Sequence, residues 1–166
     1  MDSKSLIEKL ELMPHPEGGY YKETYRSEEL INKDDLPLRF NDDRNFSTGI
    51  YYLLENEDFS AFHRIKSDEM WHFYAGTTLL IHEITAKGNY IIHRLGNNLN
   101  KDDKFQLVIP HGSWFASEVE DKNSFSFVGC TVSPGFDFND FEMAKSINLS
   151  NDHPNLKNII KRLCAK

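Results

Sequence analysis

The chain has 166 residues, a length typical of one domain that buries about 70% of the surface its unfolded form exposes. Its formal net charge of −7 argues against nucleic acid as a partner, because neutralising phosphates requires a basic surface. No apolar run approaches the roughly 18 residues that cross a bilayer, so we expect no membrane partner. The polar start gives no sign of a signal peptide. Two cysteines, Cys130 and Cys164, are too few for a disulfide scaffold, and we expect a cytoplasmic protein.

The N-terminal part of the chain alternates between regular and irregular segments. Apolar residues at helical spacing predict a short helix over residues 4–12, which Pro14 would end. Residues 16–19, with two consecutive glycines, predict a turn. Residues 20–26 are rich in aromatic and β-favouring side chains and predict the first strand. Residues 27–44 are polar and predict a long loop.

From residue 45 onward short strands dominate, separated by polar or glycine-containing turns. This regular spacing without intervening helices predicts an antiparallel sandwich or barrel, and the 13% aromatic content suits the interior of a small barrel. The predicted strands cover residues 46–54, 59–65, 69–75, 77–85, 89–95, 105–109, 113–119 and 124–132. We therefore expect one all-β domain over residues 1–166 with its barrel core at about 20–135.

The end of the chain changes character after Pro134. Leu156, Ile159, Ile160 and Leu163 lie at helical spacing and predict one amphipathic helix over about 153–164. Asp152 and Pro154 stand where a cap and a first helical residue would be. We expect this helix to pack against the outside of the barrel.

One stretch carries the candidate chemistry, with the spacing His63-x-Ile65-x3-Glu69-x6-Gly76. On a strand, His63 and Ile65 point to the same face, and Glu69, Trp71 and Phe73 share one face of the next strand. A hairpin between the two strands would bring His63 and Glu69 within reach of each other. A histidine paired with a glutamate in a partly desolvated cavity is a plausible acid–base unit. The alternative is a structural polar pair that closes the mouth of the barrel.

A second stretch has the spacing Pro110-x-Gly112-x2-Phe115, which places Phe115 inside the barrel and Trp114 outside. Aromatic side chains could stack on a sugar or an aromatic ligand, although each taken singly is more often plain core. The candidate ligand-binding residues are Trp71, Tyr74, Trp114, Phe115 and Phe136.

A metal site would need three or four protein ligands, and only His63 and Glu69 stand at suitable positions. His72 follows Glu69 but faces the opposite side of a strand, and His82, His93 and His111 would contribute only in a different strand register. We therefore expect no cofactor, with a divalent transition metal as the alternative.

The two spacings resemble the signature motifs of the cupin superfamily, in which metal-binding members take two histidines and a glutamate from the first motif and a third histidine from the second. Ile65 and Phe115 occupy the positions of the second and third histidines here. Further stretches are similar to one branch of the superfamily, DUF985 or Cupin_5. They are residues 14–20, 25–27, 50–54, 67–73, 114–117, 129–138 and 141–142.

The resemblance implies a double-stranded β-helix, or jelly-roll barrel, with a ligand-sized cavity and usually a homodimeric assembly. We expect the N-terminal segment and the first strand to form the dimer contact. Among cupins of known activity the nearest analogy is to metal-free sugar-nucleotide epimerases, which use a histidine in this strand as a general base, a role that His63 matches by position.

Three functions follow as hypotheses. The first is a cavity that binds a small polar, sugar-like metabolite and isomerises or epimerises it with His63 and Glu69. The second is a metal-dependent oxygenase or isomerase. The third is a small-molecule binding module without catalysis. The sequence does not separate the first from the third.

Overall fold

The structure is a computed structural model that describes residues 2–165. Its helices and strands, numbered in chain order, are α1 Ser3–Leu10, β1 Met13–Pro14, β2 Tyr20–Arg26, β3 Leu30–Ile31, β4 Arg44–Asn45, β5 Thr48–Glu55, β6 Phe59–Arg64, β7 Asp68–Gly76, β8 Leu79–Ile84, β9 Tyr90–Leu95, β10 Gln106–Ile109, β11 Trp114–Val119, β12 Phe125–Ser133, β13 Glu142–Met143, α2 Ser146–Asp152 and α3 Lys157–Arg162. No helix among these is long and apolar enough to cross a membrane.

Two antiparallel sheets face each other and form the barrel. One has six strands in the order β1-β2-β5-β12-β7-β10, and the other has five in the order β13-β6-β11-β8-β9. A separate two-stranded sheet pairs β3 with β4 at the borders of the predicted loop. Strands β5, β6 and β7 follow one another in the chain but alternate between the two large sheets. The predicted all-β jelly-roll fold with short terminal helices is confirmed.

Apolar and aromatic side chains fill the space between the sheets. Trp71 and Tyr52 come from the six-stranded sheet, and Phe115 comes from the five-stranded one, all essentially inaccessible to solvent. Their rings meet edge to face, at 6.0 Å for Tyr52 with Trp71 and 6.3 Å for Trp71 with Phe115. Such contacts add to the hydrophobic stabilisation that their buried area provides. Phe115 is inside and Trp114 is outside, as predicted.

The helix predicted over about 153–164 is present as a 3₁₀ turn at Pro154–Leu156 that continues into α3, whereas the preceding helix α2 was not predicted. Proline disfavours helical geometry in the residue before it, and His153 takes φ −131° and ψ 68°. Asp152 is consequently the last residue of α2 and caps nothing. Ile160 and Leu163 still pack on the outside of the barrel, as predicted.

At the N-terminus, α1 covers the outer face of the six-stranded sheet. The Asp2 carboxylate accepts a hydrogen bond from the Ser5 backbone N–H at 2.8 Å and caps the helix. Leu6 and Leu12 pack on Leu53 of this sheet. The helix ends in the left-handed conformation of Glu11, with φ 55°, before Pro14 is reached. This packing fixes where the chain enters the loop that leads into β2.

Candidate functional site

A cavity of about 140 Å³ opens at one end of the barrel, between the two sheets and beneath the segment that follows β12. Its floor is polar, and its walls are aromatic and aliphatic. The floor residues are His15, Glu17, His63, Glu69 and Cys130, all of which line this cavity. A volume near 150 Å³ is enough to hold a ring-sized molecule such as benzene.

His63 and Glu69 reach this cavity from opposite sheets. His63 lies on β6 of the five-stranded sheet and is 3% exposed, whereas Glu69 lies on β7 of the six-stranded sheet and is 8% exposed. Strand β6 pairs with β11 and β13, so the predicted hairpin between the strands of His63 and Glu69 is wrong. The two residues nevertheless face the same cavity, because both side chains point between the sheets.

Glu17 enters the cavity from the turn between β1 and β2. The turn is tied down by backbone hydrogen bonds, from Ala61 N–H to the Glu17 carbonyl at 2.8 Å and from His15 N–H to the Gly19 carbonyl at 2.9 Å. Gly18 has φ 115°, and a Cβ atom there would overlap the Phe59 carbonyl. The turn therefore lies directly against β6 and aims Glu17 at His63.

The hydrogen bonds of His63 define its protonation. Its Nδ1 lies 2.7 Å from the Ala61 carbonyl oxygen, which can only accept, so Nδ1 carries a proton. Its Nε2 lies 3.1 Å from Oε2 of Glu17. A bare imidazole nitrogen and a carboxylate oxygen do not bond without a hydrogen between them. Two lone pairs at this distance would repel each other, so a proton on either partner favours the contact.

Burial decides on which partner that proton resides. Desolvation raises the pKa of the Glu17 carboxyl, whose side chain is 8% exposed, and the neighbouring His15 opposes the rise. Desolvation lowers the pKa of His63, although the Glu69 charge and the bond to Ala61 act in the opposite direction. The Ser60 and Tyr52 hydroxyls also act to lower the pKa of Glu17, but burial is the largest effect on both groups and favours a neutral Glu17 carboxyl beside a neutral His63 ring.

Glu69 is the second acid of the floor. Burial raises its pKa to about 7, with the charge of Glu17 adding to the rise, while His63 and the Cys130 thiol oppose it. Near neutral pH this carboxyl is thus distributed between its two protonation states. A group with such a pKa can take up and release a proton efficiently at that pH.

His15 completes the polar floor. Its Nδ1 accepts a hydrogen bond from the Glu17 backbone N–H at 3.3 Å, and it lies 3.7 Å from Oε1 of the same residue. Burial lowers its pKa despite the nearby Glu17. A ring that accepts at Nδ1 and resists protonation is neutral, with its hydrogen on Nε2.

Cys130 is buried on β12 and faces the floor. Burial raises the pKa of its thiol well above the ordinary value, and the nearby Glu69 carboxyl adds to the rise. The thiol form is therefore strongly favoured, which argues against a nucleophile because the thiolate is the reactive species.

The predicted aromatic walls are placed unequally. Phe136 lines the cavity, together with Phe138 and Phe141, which the sequence analysis did not single out. Phe115 lies behind the floor with its ring 4.1 Å from that of His63, and Trp71 lies deeper in the barrel. Tyr74 and Trp114 are not wall residues.

Both of these lie on outer surfaces of the barrel. Tyr74 packs on Tyr51 and Phe127 outside the six-stranded sheet and is 50% exposed. Trp114 packs under the C-terminal helices with the Arg64 guanidinium 4.4 Å above its ring. Neither Tyr74 nor Trp114 lines the cavity, so the prediction that they bind a ligand there is wrong.

The remaining histidines lie away from the floor. His72 bonds to Thr131 on the outer surface, as its strand position predicted, and His111 bonds to Asp68 at the surface. His82 and His93 pair with buried glutamates, Glu118 at 3.0 Å and Glu83 at 2.7 Å. None of them lines the cavity that holds His63.

The side chains of the floor do not fit the metal that the cupin motifs imply. Within residues 2–165 no three histidine, cysteine, aspartate or glutamate side chains converge closely enough to hold a metal ion. Ile65, at the position of the second histidine, lines the cavity with hydrocarbon, and Phe115, at the position of the third, packs behind His63. We therefore derive no chemical step through a metal.

Glu17 is the main residue of the candidate site that the sequence analysis missed. It was assigned only to a turn, because nothing in its local sequence says that this turn folds back over the barrel mouth. The signal that could have found it is the pair Gly18-Gly19, since consecutive glycines at positive φ allow a loop to approach a neighbouring strand closely.

Comparisons with known proteins agree with this architecture. A protein of Shewanella oneidensis, SO0799, has a crystal structure that superposes with a TM-score of 0.89 at 36% identity, covering 99% of this chain and 98% of that one. A hypothetical protein from Leishmania major superposes with a TM-score of 0.89 at 31% identity over all of both chains. Oxalate decarboxylase from Bacillus subtilis shares the fold at a TM-score of 0.55 and 15% identity, over 92% of this chain and 37% of that one.

Sequence comparison gives the same grouping. The uncharacterized protein YML079W of Saccharomyces cerevisiae is 29% identical over 161 residues, which cover 86% of this chain and 75% of the yeast protein. The family described as Cupin superfamily (DUF985) matches residues 4–144, which include both signature motifs and Glu17. With a barrel of the expected topology and a match over most of its length, the chain belongs to the Cupin_5 family of the cupin superfamily.

Proposed function

We propose that the protein binds a small polar, sugar-like metabolite in the cavity and isomerises or epimerises it by proton transfer without a metal. The observation that carries this proposal is that a neutral imidazole and two buried carboxyl groups share one cavity floor. Such groups supply general acid–base catalysis, which contributes typically 10²- to 10⁴-fold to a rate. The two free, buried cysteines suit a reducing compartment, and we place the activity in the cytoplasm.

The reaction we propose is proton abstraction from a carbon next to a carbonyl group. The ionised Glu69 carboxylate takes the proton, and the carbon–hydrogen electron pair forms the double bond of an enediol. The Glu17–His63 pair gives its extra proton to the carbonyl oxygen, so that no net charge is left on the intermediate. Return of a proton to the same carbon from the other face yields an epimer, and return to the neighbouring carbon yields an isomer.

Each residue has a defined part in this scheme. His63 is held by Ala61 at Nδ1 and contacts Glu17 at Nε2, so in this scheme its ring relays the proton of Glu17 to the ligand. Glu69 approaches from the opposite sheet, which separates the base from the acid across the space for a ligand. Phe136, Phe138 and Phe141 form the cover over that space and restrict water, which protects an enediol from side reactions.

The experiment starts from a thermal-shift screen over neutral sugars, amino sugars and organic acids, because a ligand that binds only the folded state raises the melting temperature. Each ligand found is then incubated with the protein in D₂O, and loss of its carbon-bound protons is followed by NMR. We expect exchange in the wild type and a drop of about 10²-fold or more in His63→Gln and Glu69→Gln. The control His72→Gln alters an imidazole on the outer surface and should exchange at the wild-type rate.

Two results would contradict the proposal. Equal exchange in the wild type, His63→Gln and Glu69→Gln would exclude these residues from the chemistry. Ligand binding without exchange of the ligand's carbon-bound protons would show that the protein binds the ligand but does not catalyse proton transfer. Elemental analysis of untagged protein tests the metal-independent part, which fails if a transition metal is present at one equivalent and its removal abolishes exchange.

A further inference from the structure

The cavity has an excess of acidic groups over cationic ones. Its lining includes Glu17, Glu23 and Glu69 but, among arginines and lysines, Arg26 alone. Arg26 is already committed at the rim, where it donates to both carboxylate oxygens of Glu23, at 3.0 and 2.7 Å. No lysine or arginine in residues 2–165 forms an ion pair with Glu17 or Glu69.

The two histidines of the floor do not compensate these acids. His15 accepts a hydrogen bond at Nδ1, which requires a lone pair and hence a neutral ring. His63 is neutral when Glu17 holds the shared proton. The floor therefore carries no positive charge opposite its carboxyl groups.

Glu69 is the carboxyl group with the fewest protein partners. It is 8% exposed and faces the cavity. No group in residues 2–165 donates a hydrogen bond of normal geometry to it, and the neighbouring Cys130 thiol is a weak donor. Buried carboxylates are ordinarily paired or hydrogen-bonded, because an isolated buried charge is costly.

The walls above this carboxyl group are aromatic. Phe136, Phe138 and Phe141 lie within 5.0–6.2 Å of one another by ring centroid, and Phe138 extends the cluster to His15. Tyr21 adds its ring on the side of β2, with its centroid 4.5 Å from that of His15. Faces of aromatic rings carry partial negative charge and attract cations. The aromatic walls and the acidic floor thus both favour a positively charged ligand group.

We propose that the ligand of this cavity carries a protonated amine, which binds against Glu69 beneath the phenylalanine cover. The inference depends on the proposed use of the cavity as a ligand site, and it names the substrate class as a small amine-bearing molecule, for example an amino-sugar-like compound. The amine would supply the missing positive charge. It would also stabilise ionised Glu69, the form in which this residue acts as the base.

The test compares three probes that differ in one substituent, namely benzylamine, benzyl alcohol and benzoate, titrated calorimetrically into the wild-type protein at pH 8. We expect benzylamine to bind at least about tenfold more tightly than benzyl alcohol, as a charge-assisted contact implies, and benzoate not to bind. Near pH 7 benzylamine binding should release protons, because the ammonium favours ionised Glu69. Comparing buffers of different ionisation enthalpy measures that release.

Two variants show whether Glu69 is the cause of the selectivity. Glu69→Gln keeps the shape of the side chain but removes its charge, so this variant should bind benzylamine and benzyl alcohol with about equal affinity. The control Glu8→Gln, on the exposed face of α1, should keep the wild-type preference for benzylamine. The inference is overturned if benzyl alcohol binds as tightly as benzylamine, or if benzylamine shows no saturable binding at millimolar concentrations. Proton exchange of a neutral ligand that is lost in His63→Gln would keep the proposed acid–base function while removing amine selectivity.

Discussion

Nε2 of His63 lies 3.1 Å from Oε2 of Glu17, while its Nδ1 lies 2.7 Å from the Ala61 carbonyl oxygen. The pair joins a strand of the barrel to the turn between β1 and β2. The acid–base chemistry that we propose depends on this arrangement.

The tautomer of His63 can be measured directly. Long-range ¹H–¹⁵N NMR should show His63 neutral, with its hydrogen on Nδ1, at pH 6.5, where an unperturbed histidine is about half protonated. The physical reason is that burial lowers its pKa. Observation of a His63 imidazolium at pH 7 would reverse the assignment of the shared proton.

Glu69 should make the protein less stable as the pH rises. The unfolded carboxyl ionises near 4.5 and the folded one near 7, so the folded state binds more protons between these values and stability falls across that window. The difference corresponds to about 3 kcal/mol once both states are ionised. Urea unfolding should therefore show Glu69→Gln more stable than wild type at pH 8 by up to about 3 kcal/mol, with little difference at pH 4.5. A variant less stable than wild type at pH 8 would contradict this.

Glu118 should show the opposite pH dependence. It is buried on β11 and accepts hydrogen bonds from His82 at 3.0 Å, Lys122 at 2.9 Å and Arg162 at 2.7 Å. Although burial opposes it, these partners hold its pKa well below 4.5, so their contribution is present above 4.5 and lost as the pH falls below it. We expect Glu118→Gln to lose about 1–3 kcal/mol of unfolding free energy at pH 7, because Arg162 is half exposed and screened.

The matched control for this prediction is Glu142→Gln. Its carboxylate pairs with Arg64 at the surface, where both side chains are substantially exposed, so its removal should cost about 0–1 kcal/mol. Equal losses in the two variants would show that Glu118 does not anchor the C-terminal helix α3 to the barrel.

We expect the protein to be a homodimer that uses its N-terminal segment and first long strand. Strand β2 is covered by β1 only at Tyr20 and Tyr21, which leaves the edge at Lys22–Arg26 without a strand partner. Light scattering should give twice the mass of the chain at micromolar concentration. Tyr25→Asp, at a 56% exposed position on this edge, should convert the dimer to a monomer. The control Leu99→Asp, at an exposed apolar position outside this edge, should leave the protein dimeric. A monomer mass for the wild type would exclude the dimer.

The strands were predictable because the sequence pattern that marks a strand lies within the strand itself and its flanking turns. Alternating side chains and glycine turns located β2 over Tyr20–Arg26 without error and β6 and β7 within one residue at each end. The inward position of Phe115 followed from the same period. The helix that follows Pro154 was predictable from four apolar residues at helical spacing, whereas α2 was missed because the serine, asparagine and aspartate residues of Ser146–Asp152 are weak helix formers.

The site was only half predictable, because half of it is assembled by non-local contacts. His63 and Glu69 were singled out by their positions in a stretch that resembles the cupin signature motif. The sheets that carry them could not be assigned from sequence neighbours, since consecutive strands in a jelly roll change sheets. Glu17 depends on bonds between its turn and Ala61, 44 positions away along the chain. Phe138 and Phe141 depend in turn on the buried Arg44–Asp140 ion pair, which holds their segment near the cavity mouth.

The turn that carries Glu17 has a consequence for how the molecule could be tuned. It is attached to the barrel chiefly by main-chain bonds and by the Tyr52 hydroxyl, which donates to the Gly18 carbonyl at 2.6 Å. A different acid, amide or aliphatic residue at position 17 would therefore redefine the proton affinity of the histidine beneath it without repacking any strand. In the scheme that we propose, the acid at position 17 is therefore the part of the site that is least tied to the barrel strands, whereas His63 and Glu69 are part of them.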